Sequence, residues 1–490
     1  MGHITNKRSH HTGDGLAVNT SSRLSLASRK EVMHHSIRTA AVALSTTALT
    51  AGALLASPAS ASPAAAPALP RTDSTPSQIA AEWLAGELEG GLMVGSFGPD
   101  FGLTLDAGFA LSTVAGQGAT VTAINDAVEP RIADYIGDGT KESYAGALGK
   151  AAAFARTAKK NPTSYGGVNL VTRLEERTAD ATTGTTPNPL AGRVSDKSEF
   201  GDFANAIGQS YVVRALALAK SAEAAAARDF LLKQQCASGY FRLNLSKPGA
   251  ANQACAEGVA GSEADPDATS LAVINLVESG DKSPAVTAAL AKADTWLADR
   301  QRGSGAFRGG PGTAVINTNS TSLGGYALGL LKNRGAALKA AVWVRKNQPV
   351  DKYKCRTALT KDTGAVAYRK EKATAATTTG IPADARDEWR RATAQAILGL
   401  QFAPASKDDL RIVSVRREAR AGDRVQFRVF GLAPSESACL QVKGDFVRVK
   451  GKKSGEQIVR KLQLPAGNQR RVALVKSSDD EARTSIRVRN

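Results

Sequence analysis

The stretch Phe230-Leu231-x-x-x-Gln235-x-x-x-Gly239-x-Phe241 recurs in the same order as Trp296-Leu297-x-x-x-Gln301-x-x-x-Gly305-x-Phe307. Each copy is followed by a loop containing glycine and proline, and then by an apolar segment with a polar head, at residues 267–276 and 319–328. A long element repeated in fixed order is the mark of a repeat architecture. The sequence therefore predicts a fold built from repeated helical hairpins.

Six helical hairpins can be placed along residues 79–404, which form the first predicted domain. Ala- and Leu-rich segments with helical spacing alternate there with loops of Gly, Pro and Thr. The outer helices are expected around Trp83, residues 128–135, residues 170–174, Phe230, Trp296 and Trp343. The inner helices are expected to begin near Asp106, Ser143, Gln209, Asp267, Asn319 and Arg391. The segment from Trp343 to Gln348 repeats the front half of the opening stretch.

Composition changes near Pro404, and residues 406–490 form the second predicted domain. Alanine thins out, and short segments with period-two alternation predict seven strands, as in an immunoglobulin-like sandwich. This domain carries 20 Lys and Arg against 10 Asp and Glu. Outside the cell, such charge favours contact with anionic wall polymers or phospholipid headgroups, although a solvated positive face has the same composition. For an intracellular protein this charge would suggest nucleic acid, but for an exported one nucleic acid is not expected as a partner.

The N-terminus has the layout of an export signal. We expect residues 1–32 to be a non-native extension, residues 33–61 to be a signal peptide and residues 62–78 to be a disordered Ser/Pro/Ala linker. An N-terminal membrane anchor is the alternative, but the apolar run is short and rich in Ala and Thr. The expected product is secreted, bacterial in type, associated at most with the cell surface and not membrane-spanning.

Cysteine and histidine usage fits export and limits the chemistry. Cys236 and Cys255 flank one repeat loop and are expected to form a disulfide, whereas Cys355 and Cys439 are either a second bridge or two buried thiols. All five histidines precede residue 62. The mature chain therefore has no histidine for a Ser-His-Asp system or a His-ligated zinc site. No metal and no cofactor are expected.

The repeated stretch resembles the QW motif of the terpenoid cyclase and protein prenyltransferase superfamily. The resemblance covers about residues 79–401 and implies an all-α (α/α)6 toroid, followed here by the small all-β domain. In that family the Gln caps an outer helix and the aromatic stacks on it. The resemblance gives this structural role to Phe230, Gln235, Gly239, Phe241, Trp296, Gln301, Gly305 and Phe307.

The resemblance also supplies a candidate catalytic position. Class II terpenoid cyclases protonate their substrate with Asp-x-Asp-Asp-Thr, and the matching residues here are Asp265-Pro266-Asp267-Ala268-Thr269. Asp267 falls on the proton-donor position, but Ala268 replaces the following aspartate. The alternative interpretation is that Asp267 caps the inner helix by accepting from the N–H groups of Thr269 or Ser270. The zinc residues of prenyltransferases and the thioester sequence of complement-type toroids have no counterpart.

Cobalamin carriers, in which a β domain follows a toroid, give another alternative. The polar heads of the inner helices are the expected contacts of any ligand at the cavity mouth: Asp106, Gln209, Asp267, Asn319 and Arg391. The leading hypothesis is a secreted, non-catalytic protein that binds a small apolar or amphipathic molecule or a peptide. The alternatives are a cyclase-like enzyme that uses Asp267 as its acid, with Asp265 beside it, and a corrinoid carrier.

Overall fold

The predicted repeat is a closed ring of helices. The structure is a computed structural model that describes residues 71–349, 355, 357–443, 445–452, 457–477 and 480–490. The predicted extension, the signal peptide and most of the linker lie outside these residues. The helices are α1 Thr75–Gly86, α2 Phe101–Ser112, α3 Gly118–Val128, α4 Ala133–Ile136, α5 Ala145–Thr157, α6 Leu170–Glu175, α7 Ala206–Ala219, α8 Ala224–Leu232, α9 Pro266–Glu278, α10 Pro284–Arg300, α11 Thr318–Leu330, α12 Arg334–Arg345, α13 Lys370–Thr379 and α14 Arg386–Leu400.

Six inner helices, α2, α5, α7, α9, α11 and α14, contact one another in that order, and α14 returns to contact α2. The outer helices α1, α3, α6, α8, α10 and α12 pack against this ring from outside. The prediction of an (α/α)6 toroid is confirmed. Helix α1 begins four residues before the predicted boundary at Ile79, because Pro76 suits the first turn of a helix. No helix in the described part of the chain is long and apolar enough to cross a membrane.

The same backbone geometry recurs in loops that lead into the inner helices. In five loops a glycine with left-handed φ stands two residues before a buried apolar residue: Gly91, Gly192, Gly239, Gly305 and Gly364. A Cβ at each of these glycines would collide with a carbonyl oxygen of another outer helix. Only glycine allows both this backbone conformation and this close approach. The opening stretch is therefore one version of a loop that the ring uses five times.

The next element of the repeat is a threonine in the inner helix, one turn from the start of α2, α9 and α11 and two turns from the start of α14. The hydroxyl oxygen of Thr269 accepts from the N–H of Phe241 over 3.0 Å, and that of Thr321 accepts from Phe307 over 3.0 Å. Thr104 accepts in the same way from Met93, and Thr393 from Val366. These bonds satisfy a buried N–H in each loop and fix the height of each inner helix in the ring.

The glutamines of the repeated stretch join neighbouring repeats. The Nε2 of Gln235 donates to the carbonyl oxygens of Gly239 and of Ala289 in α10, over 2.9 and 2.8 Å. Gln301 donates equivalently to Gly305 and to Ala336 in α12. Each glutamine thus ties its own loop to the following outer helix. The ring of Trp296 contacts Tyr240 and Arg300, at 5.4 and 5.2 Å.

The C-terminal domain has two sheets around one apolar core. The strands are β1 Val94–Gly95, β2 Gly98–Pro99, β3 Thr182–Thr183 and β4 Thr186–Pro187 in the toroid loops, then β5 Arg411–Ser414, β6 Glu418–Arg420, β7 Arg424–Phe430, β8 Ser437–Val442, β9 Asp445–Lys450, β10 Ile458–Gln463, β11 Gln469–Lys476 and β12 Glu481–Arg489. One sheet has the order β10-β7-β5, and the other β6-β12-β11-β8-β9.

The strands follow the predicted alternation, since Val425, Phe427 and Val429 on β7 all point into the core between the sheets. The described residues contain eight strands in this domain rather than seven. The additional strand is β6, which pairs in parallel with β12. Its Glu-Ala-Arg sequence lies at the sheet edge and has no apolar alternation to reveal it. The immunoglobulin-like assignment stays a prediction.

Both cysteine pairs are disulfides, Cys236–Cys255 and Cys355–Cys439. The first holds a repeat loop, as predicted. The second resolves the alternative left open by the sequence, and it joins a toroid loop to β8 of the C-terminal domain. The buried Arg345 adds ion pairs to Asp73, over 3.2 Å, and to Glu436 of the C-terminal domain, over 4.0 Å. The two domains are therefore linked covalently and electrostatically.

Candidate ligand cavity at the toroid axis

The inner helices enclose a cavity of about 560 Å³. Its wall comes from all six of them, and most of the lining side chains lie in the middle or the C-terminal half of their helix. The lining residues are Asp106, Phe109, Ser112, Thr113, Lys150, Arg156, Thr157, Ile207, Tyr211, Arg214, Leu218, Leu271, Ile274, Asn275, Glu278, Leu323, Tyr326, Ala394, Gln395 and Leu398. A volume of this size is typical of sites for small molecules.

Part of the wall is aromatic. The rings of Phe109 and Tyr211 stack at 5.8 Å with an interplanar angle of 24°, and Phe154 packs edge-on against Phe109 at 5.5 Å. Tyr326 supplies another ring from α11. Burial raises the pKa of Tyr211 and of Tyr326 to about 12, so both phenols stay neutral at ordinary pH. The rings of Phe109, Tyr211 and Tyr326 offer flat apolar surface to a ligand.

A second part of the wall carries an ion pair. The Nζ of Lys150 lies 2.7 Å from Oδ1 of Asp106 and donates to the carbonyl oxygen of Gly102 over 2.8 Å. Burial by itself would lower the pKa of Lys150, but Asp106, Tyr135 and Tyr211 hold it above the ordinary value. The lysine is therefore a fixed cation at neutral pH. About a third of the Asp106 side chain remains exposed, so this carboxylate is accessible to a ligand.

Arg214 on α7 provides a further cation within the cavity. Its guanidinium lies 5.0 Å from the centre of the Phe109 ring, contacts Glu278 over 3.5 Å and donates to the Thr157 hydroxyl over 3.3 Å. Because the side chain is only 12% exposed, these contacts hold it in one position. The cavity thus combines apolar rings with paired charges, a composition suited to an amphipathic molecule.

Among the predicted cavity-mouth residues, Asp106 does line the cavity, but from the middle of α2 rather than from its head. Gln209 has a structural position. Its Oε1 accepts from the N–H of Val194 over 3.0 Å, and its Nε2 donates to the carbonyl oxygens of Gly192 and Ala227. The amide of Gln209 thus takes in α7 the place that threonine has in α9 and α11. With 3% exposure it has no surface for a ligand.

Asp265, and not Asp267, caps α9. Oδ1 of Asp265 accepts from the N–H groups of Asp267 and Ala268, each over 2.9 Å. The prediction that Asp267 forms this cap is therefore wrong, because the helix begins at Pro266, two residues earlier than a cap at Asp267 requires. Asp267 lies in the first turn, outside the described lining of the cavity.

The environment of Asp267 favours its protonated form. Burial is the largest cause, and the nearby Asp265 adds to it, while Ser320 and Thr313 act in the opposite direction; together they raise the pKa of Asp267 to about 6. One carboxylate oxygen, Oδ1, is buried and has no hydrogen-bond partner within the protein. This carboxyl group faces the neighbouring repeat rather than the axial cavity.

The last two predicted contacts also lie away from the cavity. Asn317 rather than Asn319 caps α11, by accepting from the N–H of Ser320 over 2.8 Å. Arg391 is half exposed and forms an ion pair with Asp100, the N-cap of α2. Four of the five expected contacts, Gln209, Asp267, Asn319 and Arg391, therefore do not meet at the cavity. No cluster of candidate metal ligands occurs among the described residues.

Sequence reasoning missed most of the residues that do line the cavity. Lys150 and Arg214 are isolated cations within apolar inner helices, and this pattern is visible in the sequence. A charge on a segment buried on most sides needs a partner or a cavity, so the two positions could have been selected on that ground. Phe109, Tyr211 and Tyr326 gave no separate signal, because aromatic residues at helical spacing are usual in a core.

Neither a protein-family model nor a curated protein matches this chain. Solved structures resemble it. A protein from Actinoplanes is 15% identical, with a TM-score of 0.45, and the match covers 67% of this chain and 99% of that one. The type II terpene cyclase MstE from Scytonema is 14% identical, with a TM-score of 0.46, and the match covers 67% of this chain and 96% of that one. A further MstE structure contains geranylgeranyl dihydroxybenzoate, its substrate.

Proposed function

We propose that this chain is an extracytoplasmic binding protein, whose axial cavity holds a small amphipathic molecule without converting it. The observation that carries the proposal is the composition of the cavity wall. The rings of Phe109, Tyr211 and Tyr326 can hold an apolar frame, while Asp106 and Arg214 can orient polar groups. Both features fit a volume of about 560 Å³.

The charges of the cavity are better suited to holding a ligand than to converting it. Lys150 is paired with Asp106, and Arg214 with Glu278, so each of these two buried cations has a nearby carboxylate. General acid catalysis needs a carboxyl group within reach of the reacting atom. Asp267, the residue at the position that resembles a cyclase acid, lies outside the described wall and faces Ser320 and Thr313. This placement favours binding over cyclase-like chemistry.

Several features support an extracytoplasmic compartment. Two disulfides are compatible with an oxidising environment, and the sequence carries an expected signal peptide at residues 33–61. The proposal has a second part, attachment to the cell surface, which is supported by the excess of cations in residues 406–490. This domain would hold the protein at the cell surface by contact with anionic polymers, in a manner that weakens as salt rises.

The cavity proposal can be tested with the neutral fluorescent probe N-phenyl-1-naphthylamine. We expect the protein beginning at Ser62 to bind the probe, with a blue-shifted emission. Leu271 lies on the cavity wall, so Leu271→Trp should fill part of the volume and weaken binding at least about tenfold. Leu290→Trp changes a partly buried residue on the outer helix α10 and is the matched control.

Equal binding by both variants and the wild type would place the probe elsewhere and contradict the cavity proposal. Turnover of geranylgeranyl diphosphate that disappears in Asp267→Asn would instead support the cyclase-like alternative. Incubation with cobalamin followed by gel filtration tests the carrier alternative, because a bound corrinoid gives the protein fraction a red colour. We expect no coloured protein fraction.

A further inference from the structure

A second recess lies where the toroid meets the C-terminal domain. This recess, the seam pocket, has a volume of about 390 Å³ and is lined by Lys346, Pro349, Lys370, Ala373, Thr374, Thr377, Ser435, Arg448, Lys450 and Gly451. Four of these residues are cations, and none of the described lining residues is acidic. The volume corresponds to about thirteen water molecules, which is enough for a small anionic group with its hydration.

The cations reach the seam pocket from separate elements. Lys346 follows directly after α12, and Lys370 is the first residue of α13. Arg448 and Lys450 are two residues apart on β9 and therefore lie on the same face of the strand. Neither domain alone supplies all four charges, so the site exists only because the two domains are docked together.

Two links join the domains beside the seam pocket. Cys439 lies on β8 directly opposite Arg448 on β9, and its disulfide partner Cys355 belongs to the toroid. The ion pair of Arg345 with Glu436 adds a second link beside the pocket. These two links hold the backbone of β9 beside the α12–α13 region, so the domains need not be brought together when a ligand arrives.

Lys450 is the best-positioned of the four cations. Its ammonium donates to the carbonyl oxygen of Lys346 over 2.8 Å, which fixes the group and leaves two N–H donors. Desolvation within the pocket, followed by the charges of Arg448, Lys346 and Lys370, lowers the pKa of Lys450 to about 8. An anion in the pocket would relieve this repulsion between like charges.

We propose that the seam pocket binds phosphodiester groups of an anionic surface polymer. Lysine ammonium groups bind phosphate as point charges, and cations from different directions suit a tetrahedral anion. This inference rests on the surface-attachment part of the proposed function and assigns that attachment to Lys370 and Lys450, at the junction of the domains. The attachment site is therefore specific, rather than being spread over the whole basic domain.

The test uses a synthetic glycerol phosphate hexamer and isothermal titration calorimetry at about 0.1 M salt, where screening between exposed charges is substantial. We expect the wild type to bind, and Lys370→Gln/Lys450→Gln to bind at least about tenfold more weakly, since two of the four cations that line the pocket are lost. The control Lys443→Gln/Lys461→Gln removes the same number of positive charges, both from the C-terminal domain and both outside the pocket. It should change affinity less than about twofold. Lys370→Arg/Lys450→Arg should keep binding, which separates loss of charge from loss of fold.

The outcomes distinguish the two levels of the proposal. Equal losses in the pocket and control variants would overturn the seam pocket while leaving surface attachment through overall charge. No binding of the hexamer by the wild type would overturn both. Binding to phosphatidylglycerol vesicles without binding to the hexamer would also overturn the proposal, because the phosphodiesters would then have to come from a bilayer.

Discussion

The side-chain amide of Gln348 donates to the carbonyl oxygen of Pro76 over 2.8 Å, although 272 residues separate the two. The same nitrogen donates to Gly364 over 3.2 Å. Gln348 follows the last outer helix, and Pro76 belongs to the first, so this contact closes the toroid. It has the same form as the Gln235 and Gln301 contacts that join consecutive repeats.

Gln348→Ala should destabilise the toroid by about 2–4 kcal/mol, because two buried carbonyl oxygens would lose their donor. The free energy of unfolding from urea titration measures this effect. Gln401→Ala is the control, since Gln401 joins α14 to Thr113 at an exposed position. The control should cost less than about 1 kcal/mol. Similar losses for the two variants would show that closure does not depend on Gln348.

Gly364→Ala should cost about 3 kcal/mol or more. Gly364 has a φ of +101°, and a Cβ there would collide with the carbonyl oxygen of Ile79. Gly335 gives the matched control, because it lies in α12 with open space around it and no unusual φ. Gly335→Ala should be neutral or stabilise by about 0.5–1 kcal/mol. Thermal unfolding followed by circular dichroism compares the two.

Asp265→Ala should destabilise the protein by about 1–2 kcal/mol through loss of the α9 cap. Asp265→Asn keeps an oxygen acceptor at the cap position and should recover most of this loss. Urea titration at pH 7 measures both variants. A larger loss for Asp267→Asn than for Asp265→Ala would contradict the assignment of the cap.

Asp267 should make the protein less stable as pH rises from about 4 to about 6. Its pKa is raised in the folded state, so in this window the unfolded chain loses the proton while the folded protein still holds it. The free energy of unfolding therefore falls as pH rises towards the folded-state pKa. The difference in unfolding free energy between wild type and Asp267→Asn should therefore depend on pH in this window. At pH 7 the variant should be more stable by about 1–3 kcal/mol. A difference that is constant with pH would contradict the raised pKa.

Cys355→Ser/Cys439→Ser should lower stability by about 4–5 kcal/mol in the chain-entropy model, because the disulfide spans 84 residues. Cys236→Ser/Cys255→Ser, which opens a span of 19 residues, should cost about 3 kcal/mol. Guanidinium titrations without reductant give both values. Only the first variant should speed hydrogen exchange at the contact between the domains. Faster exchange there in the second variant would contradict a separate role for the two bridges.

Much of the fold could be predicted because the repeated positions need particular residue types, either for their backbone conformation or for the length of their side chain. Gly239 and Gly305 stand where a left-handed φ meets a neighbouring carbonyl, and Gln235 and Gln301 have the length to span two repeats. The third copy was only half visible. Its glycine, Gly364, is separated from Gln348 by a long insertion that includes Cys355.

The candidate site was predicted less well, and the reason is physical. Polar residues at helix heads have two uses, capping and binding, and the sequence pattern is the same for both. The side-chain oxygens of Asp265 and Asn317 accept from backbone N–H groups at the helix starts, and that of Gln209 accepts from the N–H of Val194 in a loop. The cavity instead lies further along the inner helices, where Lys150 and Arg214 depend on partners from other repeats that a single sequence does not reveal.

Closure of the ring by Gln348 and Pro76 has a consequence for how such a protein can diversify. An open solenoid can gain or lose a unit, since its two ends are independent. Here a unit added or removed would part the first and last outer helices and open the axial wall to solvent. Variation is then confined to the lengths of the connecting loops. The insertion between Gln348 and Gly364 is such a loop, and its Cys355 attaches the second domain through the disulfide to Cys439.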